Sequence, residues 1–167
     1  MAESKTFHTE SADETNRFGI KLGKRLMAGS VVALSGGLGA GKTTFTQGIA
    51  VGLGINERVT SPTYTLVNEY DITSPHETEL DRLIHIDSYR LGESYDDALS
   101  EAETFGMEEL LDDHNAIIVI EWAERLRPVL PSDHLWITLK TTGSDGASRE
   151  LVFDATGPHS LSILHQL

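Results

Sequence analysis

The stretch Val31-Val32-Ala33-Leu34-Ser35-Gly36-Gly37-Leu38-Gly39-Ala40-Gly41-Lys42-Thr43-Thr44-Phe45 decides how this chain of 167 residues is read. Its first five residues form a short β-branched run, which is a strand signal. Gly36 to Thr43 then satisfy G-x-x-x-x-G-K-[ST], the Walker A pattern, at every fixed position. The glycines let the backbone fold tightly enough for successive N–H groups to face phosphate oxygens. A helix starting here turns the positive end of its dipole on the same charge. Lys42 supplies a point charge, and the Thr43 hydroxyl is suited to ligate Mg²⁺. A glycine-rich turn with no ligand is the bland alternative. The strand before the loop and the amphipathic helix after it argue for a phosphate cradle.

Outward from this loop, Phe45, Ile49 and Leu53 recur at spacing four, and Gly54 is a stop signal for the helix that carries them. Towards the N-terminus, a short strand is expected at Thr6 to Thr9. Ser11 with Glu14 reads as a capping box, and the helix it opens aligns Phe18, Leu22 and Leu26 and stops near Gly29. Further strands are expected at Tyr64 to Tyr70, Leu83 to Asp87 and Ala116 to Trp122. The last holds Ala116-Ile117-Ile118-Val119-Ile120, the continuous apolar run of a central parallel strand covered on both faces. An acidic helical stretch, Tyr95 to Leu111, separates the last two strands. Leu135, Ile137 and Leu139 alternate against Leu151 and Phe153 across the turn Gly143 to Gly146, which predicts a hairpin. The expected fold is α/β: a P-loop NTPase-like, mostly parallel sheet flanked by helices, with a C-terminal antiparallel hairpin, in one domain over 1–167.

Ligands of open α/β sheets bind beyond the C-terminal ends of the strands. Two acids stand there, Asp87 and Glu121, one expected towards the metal and one towards an attacking water. Spacing alone leaves their roles open. Ser61-Pro62-Thr63-Tyr64-Thr65 is a stiff hydroxyl-rich loop, either a switch that senses a terminal phosphate or a plain turn into a strand. His85 and Asp87 share a strand face, but a strand histidine packed by the sheet or exposed is favoured over a metal pair. Trp122 packs near the nucleotide or in the core. The acidic stretch Glu93 to Asp113 reads most simply as a solvated helix face, with a partner surface as the sharper alternative.

Composition narrows the choice of activity. The chain has 13 Lys+Arg against 26 Asp+Glu, a net charge of −13, and no cysteine. The acidic balance and the lack of a clustered basic run argue against stand-alone nucleic-acid binding, so any link to RNA would pass through a partner. Absence of cysteine removes disulfides, thiolate zinc sites and a thiol nucleophile. The polar opening MAESKTFHTE is no secretory signal, and no stretch approaches the ~20 apolar residues of a membrane span. A cytoplasmic protein without membrane attachment is expected.

Taken together, GGLGAGKTTFTQG (Gly36 to Gly48), VTSPTYTLVNEY (Val59 to Tyr70), HIDSYRL (His85 to Leu91) and IEW (Ile120 to Trp122) resemble the TsaE family in order and spacing. LPSDHLWITL (Leu130 to Leu139) and Ser148-Arg149-Glu150 extend the likeness almost to the C-terminus. The resemblance implies a small bacterial ATPase of tRNA threonylcarbamoyladenosine (t6A) biosynthesis that uses ATP and Mg²⁺ and acts on a complex of TsaB and TsaD. It also implies that tRNA is met only indirectly, through that complex. Residue by residue, it implies nucleotide binding by Gly36, Gly37, Leu38, Gly39, Ala40, Gly41, Lys42, Thr43 and Thr44. Thr43 and Glu121 would hold Mg²⁺, with Asp87 as the hydrolytic acid beside Lys42. Ser61, Thr63, Tyr64 and Thr65 would form the switch. Thr9 through Ser11 would lie near the adenine, and Arg149 would reach the nucleotide from the last hairpin. The family usually carries Asp where this chain has Gly37, which implies altered nucleotide affinity. The segments Ile72 to Arg82 and Glu93 to Phe105 differ from the common form.

Two other classes share the loop. A small-molecule kinase would need an arginine-bearing lid over its acceptor, and only Arg125 and Arg127 cluster. A nucleotide-gated interaction module would bind without turnover. A GTPase is disfavoured by the lack of an NKxD motif. No arginine stands in the P-loop, the switch loop or the Glu121 strand end, so slow, partner-stimulated hydrolysis is expected, with Arg90 the only near candidate for a finger.

Overall fold

The computed structural model describes residues 2–73, 80–92 and 94–167. One seven-stranded sheet runs in the order β1-β7-β6-β2-β5-β4-β3. Its strands are β1 (Glu3–Thr9), β2 (Val31–Ser35), β3 (Val67–Asp71), β4 (Arg82–Asp87), β5 (Ala116–Glu121), β6 (Leu135–Thr142) and β7 (Ser148–Ala155). The middle four, β6-β2-β5-β4, are mutually parallel, and β3, β7 and β1 add antiparallel edges. The expected mostly parallel sheet and C-terminal hairpin are both present, with Ile137 opposite Phe153 and Leu139 opposite Leu151.

Alternation along the strands loads both faces. Val32, Leu34, Ile117 and Val119 point to the layer of α1 (Ala12–Gly23) and α2 (Lys42–Gly52). Val31, Ala33, Ile118 and Ile120 point to the layer of α3 (Tyr95–Thr104), α4 (Met107–Leu111) and a 3₁₀ helix, Ala123–Val129. Burial on two faces is why β5 reads as an unbroken apolar run. Helices α1 and α2 touch almost backbone to backbone. A methyl group added to Gly19 or Gly23 would collide with the carbonyls of Phe45 and Ile49, and one on Gly48 or Gly52 with those of Asn16 and Ile20. This close approach fixes the start of α2, and with it the loop that precedes it.

Several expected boundaries move. Helix α1 ends at Gly23 rather than near Gly29. One further turn, with Leu26 N–H bonded to Leu22 O at 3.2 Å, keeps Leu26 on the buried face, and Gly29 at φ +82° turns the chain into β2. The strand expected from Tyr64 starts at Val67 instead. Leu66 N–H donates to Pro62 O at 2.7 Å and Leu66 sits at φ +66°, so Pro62 to Leu66 close a tight turn. The acidic helical stretch is split by Gly106 at φ +68° into α3 and α4. Its acids are solvated while Ala98, Ala102, Met107 and Leu111 are buried. Within the two divergent segments, residues 74–79 and Glu93 lie outside the described residues. A last helix, α5 (Pro158–Leu164), was not expected from the sequence. Its N-terminal N–H groups of His159 and Ser160 bond to Asp133 at 2.7 and 2.9 Å.

Candidate functional site

Between β2 and α2 the chain makes the tight loop that its glycines predict. Gly36, Gly39 and Gly41 take φ of +150°, +74° and +102°, conformations that other residues rarely adopt. Gly37 is different: it has an ordinary φ, and a Cβ there would meet nothing within 4 Å, so the backbone does not demand glycine at that position. Gly41 at the N-cap of α2 offers no side-chain acceptor. The first-turn N–H groups at Lys42, Thr43 and Thr44 therefore lack both a cap and a partner within the helix. They border a cleft of about 430 Å³ that is also lined by Asp87, Glu121, Trp122 and Arg149.

Lys42 is almost buried, and its ammonium donates to Gly36 O at 2.7 Å and Gly37 O at 2.8 Å. It also lies 3.7 Å from the centroid of the Trp122 ring, a cation–π contact. Burial pushes its pKa below the ordinary lysine value, and the nearby negative charges of Glu121, Glu124 and Asp87 pull the other way. Trp122 holds its place through a left-handed backbone, φ +59°, immediately after β5. Ser88 fixes that backbone by donating to Trp122 O at 2.6 Å, and Tyr89 packs on the indole with centroids 4.8 Å apart.

Asp87 and Glu121 are register partners at the ends of β4 and β5. The Thr43 hydroxyl donates to Glu121 Oε2 at 2.9 Å, and His85 Nε2 lies 2.8 Å from Glu121 Oε1. Asp87 Oδ2 accepts from the hydroxyls of Ser61 at 2.7 Å and Thr63 at 3.2 Å, and its Oδ1 accepts from Tyr89 N–H at 2.9 Å.

Other candidates are placed differently. The Ser11 hydroxyl is spent as the cap of α1, accepting from Glu14 N–H at 3.1 Å, and it is Ala12 and Thr15 of that helix that border the cleft. Glu14 completes the cap by accepting from Glu10 N–H, one residue before the position a capping box implies. Tyr64 is 85% exposed with Arg90 stacked on it, and Thr65 donates to Asn68, so of the switch residues only Ser61 and Thr63 reach Asp87. Arg149 does border the cleft, but it donates to Ala40 O, Gly39 O, Gly146 O and Ser148 O. It clasps the last hairpin to the P-loop. His85, Ser88 and the αL backbone of Trp122 carried no local motif that assigned them these roles.

The residues present fit a Mg–nucleotide. An uncapped helix start supplies N–H donors for phosphate, and a hydroxyl with a carboxylate, Thr43 and Glu121, supplies the few oxygen ligands that Mg²⁺ takes from a protein beside phosphate. Among the described residues, no cluster of three or more His, Asp or Glu could hold a metal by itself. The sheet, the loop and the acids at the strand ends define a protein of the P-loop NTPase-like class.

Comparison with known proteins narrows that class. Residues 9–151 match the family described as "Threonylcarbamoyl adenosine biosynthesis protein TsaE". The TsaE protein of Bacillus subtilis strain 168 is 40% identical over 130 residues, covering 77% of this chain and 72% of that protein. The TsaE protein of Treponema pallidum is 39% identical over 143 residues, covering 86% of this chain and 95% of the other. The crystal structure of YdiB from Bacillus subtilis superposes with a TM-score of 0.74 at 30% identity, covering 99% of this chain and 95% of that one. The chain belongs to the TsaE family, whose named role is in threonylcarbamoyl adenosine biosynthesis, a tRNA modification. No helix among the described residues is long and apolar enough to cross a membrane.

Proposed function

We propose that this protein binds ATP with Mg²⁺ in the cleft and hydrolyses it to support threonylcarbamoylation of tRNA adenosine, working on a complex of TsaB and TsaD proteins. The observation that carries the reading is the meeting of the Thr43 hydroxyl and the Glu121 carboxylate at 2.9 Å, at the foot of an uncapped helix N-terminus. Lys42 and the loop N–H groups bind the phosphates, and Thr43 and Glu121 hold the cation. The cation supplies neutralisation of the charge that gathers on the phosphate oxygens. Asp87 orients the attacking water. Two hydroxyls and a backbone N–H hold this carboxylate, so it meets the water already aligned.

The arginines favour slow hydrolysis by the protein alone. Arg149 is spent on backbone carbonyls, and Arg90 lies against an exposed tyrosine. An arginine finger is worth ~10³–10⁵ in rate, and here it is left for a partner to supply. The same geometry weighs against a kinase lid, because Arg125 donates to Leu91 O and Gly92 O and Arg127 lies over Trp136. Phosphate release should be slow for the protein alone, rise on addition of the TsaB–TsaD complex, and respond little to tRNA alone. Fast release that ignores that complex would overturn the proposal and favour an independent enzyme.

A further inference from the structure

Directly behind Glu121, strand β4 places a histidine that phosphate binding does not require. His85 is fully buried, between Leu83 and Asp87 along the strand and opposite Val119 of β5. Its Nε2 lies 2.8 Å from Glu121 Oε1, and its Nδ1 is buried without a hydrogen-bond partner among the described residues. A carboxylate oxygen of Glu121 can accept this bond from an Nε2–H. Packing alone would favour an apolar side chain here, as at Leu83 and Val119, because an imidazole with an unpartnered nitrogen is costly to bury. Among the described residues, the Glu121 bond is the one polar contact of this side chain that offsets the cost.

The bond also divides the work of the carboxylate. Oε1 is 2.8 Å from His85 on β4, while Oε2 takes the shorter of the two Thr43 contacts, 2.9 Å against 3.2 Å. We propose that His85 is a positioning residue for the divalent cation, holding Glu121 by one oxygen so that the other stays with Thr43. Carboxylates that ligate metals are themselves commonly oriented by a second hydrogen bond, and loss of such a partner weakens the metal ~10- to 100-fold. The inference rests on the Mg–nucleotide reading of the cleft and adds a residue to it.

The test measures binding rather than turnover: the gain in affinity for a non-hydrolysable ATP analogue when Mg²⁺ replaces EDTA, by calorimetry, with a thermal melt of each protein. His85→Gln carries an amide nitrogen at the reach of Nε2 and should keep the gain of the parent. His85→Asn, one methylene shorter, and His85→Leu should cut it by about tenfold or more, with affinity in EDTA unchanged. Equal gains in all variants would overturn the proposal, leaving a histidine that only fills space. So would a loss in His85→Gln as large as in His85→Leu. If the parent itself shows no Mg²⁺ gain, the nucleotide reading falls and this inference falls with it. A normal parent with indifferent variants defeats this inference alone.

Discussion

Strands β4 and β5 run parallel, end side by side, and each ends in a nearly buried acid that lines the cleft, yet the two acids are held by entirely different partners. Glu121 is held by a threonine at the start of α2 and a histidine inside the sheet, both parts of the rigid scaffold. Asp87 is held by two hydroxyls from the loop that precedes β3 and by the N–H of Tyr89. That loop is tied down by the Pro62–Leu66 turn and by Asp87 N–H donating to Leu66 O at 2.9 Å. An acid anchored on the scaffold suits a cation that must sit in one place. An acid held by loop hydroxyls is aligned only while that loop keeps its place. Who holds each carboxylate is what supports the proposed division of their roles.

The largest expected effect lies on the loop-held side. Asp87→Asn should lower kcat by ~10²-fold or more while leaving affinity for the analogue nearly intact, because what is lost acts on the attacking water. Steady-state phosphate release beside a binding titration checks this, and a variant that lost binding with kcat preserved would exchange the two acids' roles. Next come the scaffold residues. Lys42→Ala removes a charge-assisted contact worth ~1.5–3 kcal/mol, about 10- to 100-fold in Kd for ATP. Glu121→Gln should weaken binding only when Mg²⁺ is present. Affinity for ATP unchanged in Lys42→Ala would dismiss the phosphate-loop assignment.

The same contrast explains what the sequence disclosed. The P-loop is a contiguous run whose residue types are dictated by local backbone and charge requirements, so its location and its strand–loop–helix setting were readable directly. The pairing of Asp87 with Glu121 was readable only as two acids at strand ends. Which partner each takes depends on sheet order, because Asp87 and Glu121 lie 34 residues apart in sequence and meet only where β4 pairs with β5. His85 was legible as a strand histidine, packed or exposed, but not as a partner of Glu121, for the same reason. Ser11 and Arg149 marked the right neighbourhood, but their polar atoms satisfy backbone groups. The strand expected at Tyr64 failed at Leu66, whose left-handed φ no local propensity foretells.

A smaller effect should sharpen the distinction between the two acids. Ser61→Ala removes the shorter of the two hydroxyl contacts to Asp87 Oδ2 and leaves Thr63 in place. A lost hydrogen bond to a charged group, ~1.5 kcal/mol, predicts about a tenfold lower kcat with Mg²⁺-dependent binding unchanged. A change in that binding instead would mean that the loop communicates with Glu121 as well.

The smallest effect comes from a third held carboxylate, Asp133, which serves neither acid's purpose and so acts as the control. It lies outside the cleft, and its two oxygens accept from the backbone N–H groups of His159 and Ser160 at the start of α5. Burial alone would raise its pKa, but the hydrogen bonds from Ser160 and His159 outweigh that and hold it below the ordinary aspartate value. A carboxyl whose pKa is lowered by folding contributes stability above its unfolded pKa and loses it as pH falls through the folded value. Asp133→Asn should therefore cost about 1 kcal/mol near neutral pH, the usual worth of a helix cap, with solvent screening keeping it from the upper end of that range. In a chain of this size that is a fall of roughly 2–4 °C in Tm. The deficit should shrink as pH drops from the unfolded value of 3.8 through the lower folded value, where the folded parent's carboxylate takes up its proton. Phosphate release at neutral pH should stay at the parental rate. Thermal melts at several pH values, run beside the turnover assay, check both halves. A deficit independent of pH would mean that the Asn keeps the cap geometry poorly and that charge is not what Asp133 contributes.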